Sequence, residues 1–164
     1  MDTVLPQDVY DLARRVVEEN RKAGRTIALA ESCTGGLVAA ALTEIPGSSA
    51  VLDRGFVTYS NEAKVQALGV SQEVLEAFGA VSVACVYEMA KGALELSDAD
   101  VAVAISGIAG PDGGTEIKPV GTVVFARAVR GEEDLTAESK EFSETTRAGV
   151  RRQATLVALE LLLP

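Results

Sequence analysis

The segment Glu31-Ser32-Cys33-Thr34-Gly35-Gly36 concentrates two hydroxyls, a thiol and two glycines in six residues. Thr26-Ile27-Ala28-Leu29-Ala30 before it reads as a buried strand, and Leu37, Val38, Ala41, Leu42 and Ile45 after it recur at helical spacing. The segment is therefore a strand-to-helix turn. Unpartnered backbone N–H groups at a helix start favour negative charge. Such a turn holds an anion, or it presents a nucleophile beside oxyanion donors. Ser32 and Thr34 also have the position of helix caps. Cys33 is a rival nucleophile, or a small buried apolar side chain.

No histidine occurs in the chain. Ser-His and Cys-His mechanisms and His-ligated zinc are thereby excluded, and a general base has to be Lys, Tyr, Asp or Glu. Lys64 is the base that the pattern offers. In Tyr59-Ser60-Asn61-Glu62-Ala63-Lys64, Tyr59 ends a strand and Lys64 falls in the first turn of the next helix, with Asn61 as the expected cap. A lysine charge is disfavoured at that end of a helix and by burial. Both effects suit a lysine that accepts protons near neutral pH. The alternative is a solvated lysine paired with a neighbouring acid.

Three further places have ligand-binding character. Ser106 to Gly114 is a glycine-rich loop after the strand Val101–Ile105, without a dinucleotide or P-loop spacing. Lys118-Pro119-Val120-Gly121-Thr122 is a second short loop. Arg147, Arg151 and Arg152 cluster at a helix start, where cations are unfavourable unless an anion or Glu141 and Glu144 compensate them. Glu31, Asp53, Glu62 and Asp112 have no metal-ligand spacing, so no metal is expected.

These groups need a scaffold. The 164 residues suffice for one domain, 1–164, with a sizeable core. Hydrophobic residues make up 48 % and aromatics 4 %, a core of Ala, Val, Leu and Ile that suits an α/β sheet. Helices are expected over about 8–23, 35–44, 62–68, 72–78, 82–96 and 147–162. Strands are expected over about 26–30, 51–59, 101–105, 120–129 and 135–142, with a loop at Pro46-Gly47-Ser48-Ser49. The pattern predicts an α/β/α layer sandwich with a mixed, mostly parallel sheet, its ligand loops at the carboxyl ends of the parallel strands. The net charge of −9 argues against nucleic acid as a partner. Cys33 and Cys85 give no disulfide framework. The first residues lack signal-peptide character and no apolar run is long enough to span a membrane, so a soluble, cytoplasmic protein is expected.

Taken together, Glu31–Gly36, Pro46–Ser49, Gly55–Lys64, Gly79–Ser82, Ser106–Gly114 and Lys118–Val123 resemble the C-terminal domain of competence/damage-inducible protein CinA, in one order over most of the chain. Phe142-Ser143-Glu144-Thr145-Thr146-Arg147 keeps the arginine of the family's Gly-Asp-Arg segment but not its Asp. The resemblance implies a nicotinamide mononucleotide amidohydrolase that forms nicotinate mononucleotide and ammonia in pyridine nucleotide recycling, without cofactor or metal. It implies Ser32 as nucleophile, Lys64 as base and Tyr59 as the residue that orients Lys64 or the substrate. The oxyanion falls to Thr34, Gly35 and Gly36. Thr34, Ser49, Gly107, Gly110 and Arg147 are the expected contacts to the ribose phosphate. A homo-oligomer is expected. A non-catalytic nucleotide-binding or regulatory domain is the alternative.

Overall fold

The computed structural model describes residues 2–164. Helices α1 (Gln7–Ala23), α2 (Leu37–Thr43), α3 (Asn61–Leu68), α4 (Gln72–Phe78), α5 (Val83–Glu95) and α6 (Arg147–Leu161) surround one sheet. Its strands are β1 (Ile27–Glu31), β2 (Leu52–Val57), β3 (Val101–Gly107), β4 (Thr122–Val129) and β5 (Thr136–Glu141), in the order β2-β1-β3-β4-β5. β1 pairs in parallel with β2 and β3, whereas β4 runs antiparallel to both β3 and β5. Four strands thus share one direction and β4 alone opposes them, which makes the sheet mixed, as the sequence predicts.

Strand alternation sorts side chains by size onto the two faces. Ile27, Leu29, Val101, Val103, Ile105, Val123 and Phe125 pack under α1, α2 and α6. Ala28, Ala30, Ala102, Ala104, Ala126 and Ala128 face α5 and the helices beside it. Small side chains on that second face leave room for α5 to lie close to the sheet. At Gly92 a Cβ would stand 2.0 Å from the Leu68 carbonyl oxygen. That backbone contact fixes α5 against the end of α3, the helix that carries Lys64.

Boundaries depart from expectation at three places, each for a local reason. Ser60, not Asn61, caps α3, its Oγ accepting from the Ala63 N–H at 3.0 Å. The second helix starts at Leu37 instead of Gly35, because Gly35 and Gly36 have φ of 59° and 102°, values that helical residues do not adopt. Ser48–Ala50, expected as loop, forms a short 3-10 turn. Among the described residues, no helix is long and apolar enough to cross a membrane.

Candidate active site

β1 ends at Glu31, and the Ser32 N–H continues its ladder by donating to the Ile105 carbonyl at 3.0 Å. The Thr58 N–H donates to the Glu31 carbonyl at 2.9 Å. Ser32 and the Thr58–Tyr59 segment therefore stand side by side at the carboxyl ends of neighbouring strands. Such ends are where open α/β sheets bind ligands. A cavity of about 300 Å³ opens there, lined by Ser32, Cys33, Tyr59, Lys64, the 106–113 loop and Arg147.

Lys64 is only 1 % exposed. Its Nζ lies 3.0 Å from Ser32 Oγ, 2.8 Å from the Thr58 carbonyl oxygen and 3.3 Å from that of Tyr59. No carboxylate pairs with it among the described residues. Burial without an anionic partner holds its pKa below the ordinary 10.5, although the nearby Cys85 and Cys33 thiols oppose the shift. A neutral amine has two N–H groups and one lone pair. As an ammonium Lys64 donates to all three oxygens, Ser32 Oγ included; as a neutral amine it would keep its two N–H groups on the carbonyls and turn its lone pair to the Ser32 hydroxyl.

Cys33 lines the same cavity but is buried, and that burial pushes its thiol up to about 11. It is a protonated thiol near neutral pH, and so a poor nucleophile there.

The turn differs from an open anion cradle. The Glu31 carboxylate accepts from the Val38 N–H at 3.0 Å and the Ala39 N–H at 3.1 Å, so the start of α2 is already capped. Each Glu31 carboxylate oxygen thus accepts one backbone N–H. Among the described residues no three His, Cys, Asp or Glu gather as ligands would. The Gly35 N–H donates to the Ser32 carbonyl at 3.0 Å, and neither Gly35 nor Gly36 lines the cavity. Thr34 is fully buried, its hydroxyl without a partner. The backbone N–H groups of Cys33, Thr34 and Gly36 have no acceptor among the described residues, and of these three residues only Cys33 lines the cavity.

The remaining expected residues divide. Gly107, Gly110 and Arg147 line the cavity. Arg147 donates to the Gly110 carbonyl at 2.7 Å and to Tyr59 Oη at 2.8 Å, and it forms no ion pair among the described residues, with Glu141, Glu144 or any other acid. The Tyr59 hydroxyl thus serves Arg147, and only its backbone carbonyl meets Lys64. Ser49 does not join the site. It is exposed on the 3-10 turn before β2, and β2 starts beside Ile27 at the opposite end of the strands. Ser106 and Asp112, from the glycine-rich loop expected to bind ligand, also line the cavity, as does Asn61, which the sequence suggests only as a cap. Ser106 follows Ile105, which pairs with Glu31, and so falls in register beside Ser32.

Residues 9–164 match the CinA C-terminal domain family. The chain belongs to that family. A relative from Escherichia coli strain K12, named nicotinamide-nucleotide amidohydrolase PncC, is 54 % identical over 155 residues, covering 94 % of this chain and 93 % of its own. A CinA-like protein of Shewanella loihica is 48 % identical over 98 % of this chain, which matches 38 % of that longer protein. The crystal structure of a competence/damage-inducible protein from Agrobacterium tumefaciens superposes with a TM-score of 0.94 at 47 % identity, covering 98 % of this chain and 97 % of its own. The fold therefore agrees with this CinA-type structure from end to end.

Proposed function

We propose that this protein hydrolyses the carboxamide of nicotinamide mononucleotide, releasing nicotinate mononucleotide and ammonia, and that Ser32 and Lys64 perform the reaction. The observation that carries this reading is the buried Lys64 amine, 3.0 Å from Ser32 Oγ and without a carboxylate. The amidohydrolase relative at 54 % identity supports the substrate.

In the first half-reaction Ser32 Oγ attacks the carboxamide carbon while its proton passes to neutral Lys64. The carbonyl oxygen becomes an oxyanion, which accepts from the Cys33 backbone N–H at the cavity wall. Such a donor is worth on the order of 3 kcal/mol. The tetrahedral intermediate collapses, the C–N bond breaks, and protonated Lys64 delivers its proton to the departing ammonia. Water then attacks the acyl-Ser32 ester, its proton going to Lys64 and from there back to Ser32 Oγ as the ester bond breaks. No step calls for a metal. The unpaired charge of Arg147 and the backbone of the Gly107–Gly110 loop suit the ribose phosphate. Tyr59 holds Arg147 in place.

Ammonia release from nicotinamide mononucleotide, measured with and without EDTA, tests the reading. It predicts turnover that EDTA leaves unchanged. Saturable binding without ammonia would indicate a regulatory nucleotide-binding domain instead, and EDTA-sensitive phosphate release a phosphohydrolase.

A further inference from the structure

Arg151 lies on α6, outside the cavity, yet its side chain reaches the turn that carries Ser32. Its Nε donates to the Cys33 carbonyl at 3.1 Å and its Nη2 to the Thr34 carbonyl at 3.3 Å. No acid pairs with this guanidinium among the described residues. Arg151 lines a separate groove with Leu37 and Val9, whereas Cys33 lines the catalytic cavity. The turn is thus a thin partition, with Arg151 gripping it from behind.

A trans peptide is planar, and its C=O and N–H point in opposite directions. The Cys33 carbonyl faces Arg151, so the Thr34 N–H of the same peptide faces away from Arg151. The Ser32 carbonyl is likewise held by the Gly35 N–H, which sets the direction of the Cys33 N–H. The Cys33 and Thr34 amides therefore each belong to a peptide whose carbonyl is tied down, and one of the two ties is a charged side chain. The Thr34 carbonyl also accepts from the Leu37 N–H at 3.1 Å, whereas the Cys33 carbonyl has Arg151 alone as a partner among the described residues.

We infer that Arg151 is a positioning residue for the oxyanion site: it fixes the Cys33–Thr34 peptide plane and so holds Cys33, which lines the cavity, with its N–H towards the reacting carbonyl. This rests on the amidohydrolase reading above. Two parallel N–H donors on neighbouring carbonyls require the planar fork of arginine, which lysine cannot reproduce. The fixed cation behind the turn also polarises both peptides in the sense that favours an oxyanion in front of them.

The test is steady-state ammonia release from nicotinamide mononucleotide by wild type, Arg151→Ala, Arg151→Lys and Arg152→Ala, with and without added guanidinium ion. An oxyanion donor left free to rotate costs about tenfold or more in kcat. The expected result is that loss in both Arg151 variants, with KM within about threefold of wild type, an unchanged pH limb, and partial recovery of Arg151→Ala by guanidinium. Arg152, whose exposed side chain pairs with Asp8, serves as the control and stays at the wild-type rate. Unchanged kcat, or a loss confined to KM, would overturn the inference. A loss that guanidinium does not repair in a folded Arg151→Ala would also overturn it. If Arg151→Ala does not fold, the KM-against-kcat split in Arg151→Lys decides. Absence of ammonia from wild type would instead defeat the amidohydrolase reading itself.

Discussion

The Nζ of Lys64 and the Oγ of Ser32 are 3.0 Å apart although the residues are 32 positions apart in sequence. Ser32 directly follows the first strand, the strand beside it leads into the helix of Lys64, and parallel pairing brings the two ends together. Most of what the site is proposed to do follows from this pair and from the lysine's lack of an acidic partner.

Lys64 has to be neutral to accept the Ser32 proton. Its pKa lies below the ordinary 10.5, so kcat/KM rises with pH along a limb whose midpoint falls below that value. Below the midpoint, activity drops about tenfold per pH unit. A pH–rate profile checks this. A midpoint at the ordinary lysine value would show that Lys64 is not the base.

The same shift affects stability. Between the folded pKa of Lys64 and its unfolded value, the unfolded chain binds a proton that the folded chain does not. Wild-type stability therefore rises with pH through that window. Lys64→Met lacks the dependence, so wild type gains stability relative to the variant between about pH 7 and pH 10. Denaturant titrations at both pH values read the difference.

Cys33→Ala keeps the activity of wild type within a few fold. With the thiol pushed up to about 11, on the order of one molecule in a thousand carries a thiolate at about pH 8. Iodoacetamide accordingly inactivates the enzyme slowly. Loss of ammonia release in Cys33→Ala alone would move the nucleophile to the thiol.

Glu31→Ala removes both acceptors that hold the start of α2. Losing two hydrogen bonds to a buried carboxylate costs about 2–4 kcal/mol of stability. A thermal or urea melt measures it.

Arg147→Ala raises KM for nicotinamide mononucleotide by about ten- to a hundredfold with a smaller change in kcat, as loss of a charged phosphate contact would. Tyr59→Phe, which removes the hydroxyl that positions Arg147, shifts KM the same way by less. Steady-state kinetics with the mononucleotide and with the phosphate-free nucleoside separate the two contributions.

Much of this was legible from local chemistry. The strand and helix order follows from periodicity, and the lack of histidine together with the helix-start position makes Lys64 a candidate base. What was not legible depends on partners far along the chain. The two free N–H groups at the start of α2 go to Glu31, a pairing set by a side chain seven and eight residues away. The Tyr59 hydroxyl belongs to Arg147, 88 positions on, and the grip of Arg151 on the turn spans more than a hundred. Ser49 sits on a turn of the right residue types at the wrong end of the sheet, because β2 begins there and runs towards the site. Spacing alone cannot distinguish the two ends of a strand.

The most direct measurement is the rate of ammonia release from nicotinamide mononucleotide by Ser32→Ala beside wild type, with fold verified by circular dichroism. The account predicts that wild type turns over and that the variant loses at least about a thousandfold in kcat. Turnover by Ser32→Ala near the wild-type rate would contradict it.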